Sequence, residues 1–170
     1  MKTQIDKKRF RPWALVTCAS SGIGKEFVRQ LAPSGLNVAL VARRETLLYQ
    51  VGRGIAKDFD VEYRIVVADP SEEGFLDKLA KATNDLDIGL AVSNAGTGNP
   101  GEFHKFERGK LENLLQLNTL AHLDNRASLR PKARGTRPGW TVVCGGYGPR
   151  QGCSLYGERR RRQGICTEFQ

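Results

Sequence analysis

The run Thr17-Cys18-Ala19-Ser20-Ser21-Gly22-Ile23-Gly24 gathers hydroxyl-bearing, small and glycine residues between an apolar stretch and an amphipathic one. Glycines let backbone N–H groups approach a ligand without a Cβ in the way, and the Ser20 and Ser21 hydroxyls can donate to phosphate oxygens. At the start of a helix the unpaired N–H groups and the helix dipole act in the same direction, so the run suits a diphosphate. A Gly/Ser-rich turn that only caps a helix has the same composition, and context must separate the two. Further on, Arg43 and Arg44 follow one apolar run and Asp69 another. Two guanidinium groups match a phosphate by charge and by forked donors, or form a solvated loop pair. Asp69 can serve a ligand or cap the helix that is expected two residues later. Ser93-Asn94-Ala95-Gly96 is either a tight polar turn or a place where backbone and amide meet a ligand.

These residues need elements to position them. Trp13–Val16, Asn37–Ala42, Val61–Val67, Ile88–Val92 and Trp140–Val143 are short apolar runs that read as strands buried on both faces. Between them lie helical patterns. Ile23, Phe27 and Leu31 recur at helical spacing, with Pro33, Ser34 and Gly35 closing the helix. Glu45–Lys57 is helical in composition. Ser71 is the expected N-cap of a helix through Leu76, Leu79 and Ala80, with Glu72 and Glu73 in its first turn, and Glu107–Leu123 carries Leu111, Leu114, Leu115 and Leu117. Strands alternating with helices require right-handed crossovers, so the fold class is α/β, a doubly wound, Rossmann-like parallel sheet, incomplete at its C-terminal end. The glycine-rich run then falls in the first strand-to-helix turn, where such folds take dinucleotides.

Composition narrows the function. The 170 residues carry 27 Lys plus Arg against 18 Asp plus Glu, a net charge of +9. Residues 1–125 hold 17 basic and 16 acidic side chains, whereas 126–170 hold 10 and 2. The body is close to neutral and the excess sits in the tail, so the charge does not indicate a nucleic-acid-binding fold. One domain over 1–144 is expected, followed by a basic Gly/Arg-rich tail over 145–170 with too few apolar residues to order. A tail carrying Arg159, Arg160, Arg161 and Arg162 could attract phosphate backbones, but no aromatic pattern accompanies it, and nucleic acid is not the expected partner. No apolar run is long enough to cross a membrane and no secretory signal precedes the first strand, so a cytoplasmic protein is expected. Cys18, Cys144, Cys153 and Cys166 form no Cys-x-x-Cys pair, and His104 and His122 stand apart. No metal site or disulfide framework is suggested.

With the motifs in order, the chain resembles the short-chain dehydrogenase/reductase family over about residues 10–143. Thr17 to Gly24 is similar to that family's T-G-x-x-x-G-x-G turn, Asn94-Ala95-Gly96 to its N-N-A-G motif, Asp69 to its adenine-contacting acid, and Asn118 to its active-site asparagine. The resemblance implies hydride transfer between a nicotinamide cofactor and a carbonyl or secondary alcohol. It assigns cofactor contacts to Thr17, Ser20, Ser21, Gly22, Ile23, Gly24, Arg43, Arg44, Asp69, Asn94, Ala95 and Gly96. Arg43 and Arg44 stand where an NAD enzyme places a carboxylate for the ribose hydroxyl, which favours NADP(H) and its 2′-phosphate. Tyr156 is the expected proton donor, with Asn118 in support.

The departures are equally specific. Cys18 replaces the first glycine, position 160 is arginine where the family has lysine, and no serine lies between Leu129 and Cys153. The family also implies later strands, oligomer-forming helices and a substrate loop, so a truncated chain with impaired turnover is expected. A frame shift near Gly157 would account for the arginine run. Two alternatives stay open: a non-catalytic dinucleotide-binding module, and a basic nucleic-acid-binding tail.

Overall fold

The structure, a computed structural model, describes residues 10, 12–98, 102–120, 140–145 and 152–157. Among the described residues six strands form one sheet: β1 (Trp13–Thr17), β2 (Asn37–Ala42), β3 (Tyr63–Val67), β4 (Ile88–Ser93), β5 (Trp140–Gly145) and β6 (Gly152–Gly157). Their spatial order is β3-β2-β1-β4-β5-β6. The first five run parallel, and β6 is antiparallel to β5. The chain leaves β1 toward one edge and returns to start the other half at β4, so the order reverses between β1 and β4, where open α/β sheets hold their ligands.

The alternation of strand side chains divides the core. Ala14, Val16, Val38, Leu40, Leu90 and Val92 turn to one face and meet Val28 and Leu31 of α1 (Gly22–Leu31) and Leu48, Val51 and Ile55 of α2 (Glu45–Phe59). Leu15, Ala39, Val41 and Val66 turn to the other and meet Phe75 and Leu79 of α3 (Phe75–Ala82). Apolar cover on both faces is what the continuous hydrophobic strands require, and each fully buried Leu or Val contributes roughly 1.5–3 kcal/mol. This is the expected doubly wound arrangement. Its parallel register aligns Thr17 with Val41, Ala42 with Val67 and Val16 with Val92, so the carboxyl ends of four strands open onto one edge.

Three expectations change. The third helix begins at Phe75, not near Ser71: the Asp69 carboxylate accepts the Ser71 N–H at 2.9 Å, and Gly74 takes a left-handed φ of 78° as the N-cap. A local turn thus competes successfully for the segment expected to be the first helical turn. The helix expected over Glu107–Leu123 starts as α4 (Arg108–Leu115) and widens into a π-helical turn over Gln116–Leu120, with 121–123 outside the described residues. Leu115 at the end of α4 is 62% exposed, while Leu111, Leu114 and Leu117 are half-buried. Finally, Gly145 ends β5, and Gly152–Gly157, expected to lie in a tail without order, pairs along β5 from Trp140↔Gly157 to Gly145↔Gly152. The outer edge of β5 is therefore occupied. Arg159 to Arg162, His122 and Cys166 lie outside the described residues. No helix among the described residues is long and apolar enough to cross a membrane.

Candidate functional site

The β1–α1 turn is shaped by two neighbouring backbone demands. Cys18 holds a left-handed φ of 53°, which directs its carbonyl under the start of α1, and a Cβ on Gly24 would overlap that oxygen and come within 3.0 Å of Asn94 Nδ2. Only glycine fits position 24. Gly22 is also left-handed, φ 57°, with open space where a Cβ would stand. The Ser21 hydroxyl does not cap α1, and no acidic residue occupies the first turn. The hydroxyls are instead drawn to Arg44, whose Nη2 donates to Ser21 Oγ at 2.7 Å and Ser20 Oγ at 3.2 Å. The result is an uncapped helix end, open space over Gly22, and a guanidinium at the rim of the turn, all of which suit an anion.

Arg43, the adjacent residue at the end of β2, reaches to the end of β3 instead. Its Nη1 donates to Asp69 Oδ2 at 3.3 Å. The other carboxylate oxygen accepts both the Ser71 N–H and its hydroxyl, at 2.9 and 2.7 Å. Partial burial opposes ionisation of Asp69, but the two Ser71 donors and the Arg43 charge outweigh it and hold the carboxyl below its ordinary range. Cys18 behaves oppositely. Burial pushes its thiol up, more than the Gly96 backbone contact and the nearby arginines pull it down.

The inner wall of the site is tied to the sheet. Buried Thr17 accepts the Asn94 N–H at 2.8 Å and donates to the Val92 carbonyl at 3.4 Å, joining the ends of β1 and β4. Ala95 is buried behind this link and Gly96 is exposed beyond it. The Asn118 amide, carried by the π-helical turn, pairs with Thr97 in both directions: Oδ1 accepts the Thr97 N–H at 2.9 Å and Nδ2 donates to its carbonyl at 2.8 Å. Thr97 and Ser71 are participants that sequence reading did not assign. Ser71 had a usable signal, since Asp-Pro-Ser after a strand is turn chemistry in which the acid takes a backbone N–H two residues on. Thr97 had none, because only its backbone is used.

Thr17, Ser20, Ser21, Gly22, Ile23, Gly24, Arg43, Arg44, Asp69, Asn94, Ala95, Gly96 and Asn118 thus lie on or beside the carboxyl edge of β1–β4, most of them joined by the bonds above. Tyr156 does not join them by backbone position. It sits in β6 opposite Thr141, which is level with Ala91, two residues short of Ser93. At about 3.3 Å per residue this is roughly 7 Å back from the edge. Among the described residues no group of His, Cys, Asp or Glu could hold a metal ion. The donors that are present, backbone N–H groups, serine hydroxyls and guanidinium groups, fit an anionic dinucleotide.

Known proteins bear on this geometry directly. The pattern of the short chain dehydrogenase family matches residues 12–142. The very-long-chain 3-oxoacyl-CoA reductase of Candida albicans is 39% identical over 116 residues, 65% of this chain and 33% of that protein. The inactive hydroxysteroid dehydrogenase-like protein 1 of Homo sapiens is 36% identical over 118 residues, 67% of this chain and 36% of that protein. Among solved structures, a short-chain dehydrogenase from Sphingobium yanoikuyae in complex with NADPH superposes with a TM-score of 0.68 at 29% identity, over 72% of this chain and 48% of that one. The chain therefore spans between a third and a half of the length of these relatives. Because the matched stretch contains the glycine turn, the arginine pair, Asp69, the Asn94 loop and Asn118 together, the chain belongs to the short-chain dehydrogenase family.

Proposed function

We propose that this chain is the NADP(H)-binding part of an oxidoreductase that moves hydride between NADP(H) and a small carbonyl compound or secondary alcohol, and that turnover by these 170 residues alone is impaired. The observation that carries the cofactor reading is the placement of two guanidinium groups at the end of β2. One is bonded to the turn serines and the other to Asp69, with no carboxylate at the end of β2 itself. In this reading the uncapped start of α1 binds the diphosphate, and Arg43 and Arg44 bind the 2′-phosphate. Asp69 flanks the adenosine side. Asn94 and the Asn118–Thr97 pair hold the wall next to the nicotinamide ribose. The bound nicotinamide supplies or accepts the hydride. Water exclusion and proton transfer fall to residues after β5. There Tyr156 stands back from the edge, Cys144-Gly145-Gly146 offers no hydroxyl, and position 160 is arginine. The human relative is named as inactive, which supports the impaired reading.

The test is a calorimetric or fluorescence titration with NADPH and NADH beside a redox assay on simple ketones and alcohols. NADPH is expected to bind more tightly than NADH. Failure of both to bind, or tighter binding of NADH, refutes the cofactor reading. Binding with no turnover at all selects the second reading, a non-catalytic dinucleotide-binding module, which the backbone position of Tyr156 favours.

A further inference from the structure

The two arginines at the end of β2 are not equivalent. Arg44 is engaged by the turn serines through two hydrogen bonds from one nitrogen. Arg43 is 73% exposed and makes a single hydrogen bond, to an acid that is 17% exposed and fixed on its other oxygen by Ser71. The Arg64–Asp85 pair shows what a committed ion pair looks like in the same protein: both guanidinium nitrogens bond the carboxylate, at 3.4 and 2.9 Å, and one also reaches the Ala82 carbonyl. Among the described residues Arg43 has no such second bond. The carboxylate is the fixed partner and the guanidinium the movable one, with most of its donors unspent.

We propose that Asp69 is an internal competitor for Arg43: its carboxylate holds the guanidinium in the free protein and yields it to a ligand phosphate, so that Asp69 sets how strongly the chain prefers a 2′-phosphorylated dinucleotide. This rests on the cofactor reading above and adds a specificity-determining residue to it. A phosphate dianion offers more charge and a forked match, which the one-bond pairing with Asp69 does not. Removing the competitor should favour NADPH over NADH by the value of an exposed ion pair, about two- to five-fold.

The experiment measures dissociation constants for NADPH and NADH by titration in the wild-type chain, Asp69→Asn, Arg43→Ala and the double variant. Both ligands carry the same adenine, so any weakening of adenine binding caused by replacing Asp69 cancels in the NADPH-to-NADH ratio. The ratio should rise about two- to five-fold in Asp69→Asn and stay unchanged when the same substitution is made in Arg43→Ala. A ratio that Asp69→Asn leaves untouched overturns the competition while the cofactor reading stands. So does a rise that persists without Arg43, since that is a general effect of removing a negative charge. A wild-type chain with no preference for NADPH overturns both. Urea unfolding midpoints of the four proteins establish that each is folded, and 2′,5′-ADP against 5′-ADP repeats the comparison without the nicotinamide.

Discussion

Cys18 is the place where this chain departs from the family turn, and its backbone makes a sharp prediction. At φ 53° it sits in the left-handed region, where a side chain costs about 1–2 kcal/mol that glycine does not bear. Comparing the wild type with glycine would mix this with the packing of a partly buried thiol, so the decisive pair is Cys18→Ala and Cys18→Gly. Both remove the sulfur, and only alanine keeps the Cβ. Glycine also has the more disordered unfolded chain, at a cost of roughly 0.5–1 kcal/mol, which leaves a net advantage to glycine of about 0.5–1 kcal/mol. In an ordinary helical position the sign is opposite. Ala56→Gly inside α2 should destabilise by about 1 kcal/mol. Urea unfolding followed by tryptophan fluorescence measures both differences, with the slope against denaturant held as the check on two-state behaviour. If Cys18→Gly is the less stable of the pair, the left-handed turn is not under strain, and Cys18 does not set the backbone that confines position 24 to glycine.

The same turn and its neighbours yield three more expected outcomes. Gly24→Ala should destabilise by about 1–3 kcal/mol or prevent folding, because its Cβ overlaps the Cys18 carbonyl, a backbone atom that cannot rotate aside; the urea midpoint reads the loss. Thr17→Val should cost more than Thr17→Ser, about 1–3 against about 1 kcal/mol, although valine is the more apolar, since it leaves the Asn94 N–H and Val92 carbonyl without their partner; equal losses would remove the hydroxyl from the account. For Asp69 the folded-state pKa lies below the ordinary 3.8, so its ionised form stabilises the fold above that value and the contribution is lost as pH falls through the lowered one. The stability gap between wild type and Asp69→Asn should be flat above about pH 5 and close in more acidic solution; a gap that widens there contradicts the sign.

How much of this was legible in the sequence depends on where the determining forces act. β2 was readable to its ends, Asn37–Ala42, because a continuous apolar run between turn residues has few other uses. The glycine turn, the arginines, Asp69 and the Asn94 loop were readable because each follows a strand, and parallel strands bring their carboxyl ends together whatever else the chain does. The start of α3 was not. Ser71 with two following glutamates looks like a helix start, and the turn made by Asp69 and Gly74 overrides that local preference. The π-helical turn at Gln116–Leu120 was equally hidden, since the leucine spacing continues through it and the Asn118–Thr97 pairing that it carries joins residues 21 apart. β6 was masked by composition: Cys153-Ser154-Leu155-Tyr156 is too short to stand out beside a run of arginines.

These differences sort the site into two kinds of wall. The inner wall, made by Thr17 with Asn94 and by Asn118 with Thr97, consists of bonds whose partners are backbone groups already fixed by the sheet or by the turn that carries them. Such bonds gain little from a ligand and define the shape it meets. The outer wall, made by Arg44 with two serines and by Arg43 with Asp69, consists of charged side chains resting on neighbours that they can leave. In the proposed reading, discrimination between dinucleotides belongs to the outer wall, because its guanidinium groups carry the charge that an additional phosphate would meet. Catalysis in the proposed reading needs a third component beside the inner wall, and on that side the β5–β6 pair holds the Tyr156 backbone level with Ala91 instead of Ser93. If Tyr156 is the proton donor, Arg160→Lys alone is expected to leave turnover unrestored, since the Tyr156 backbone is held in a strand paired along its length with β5.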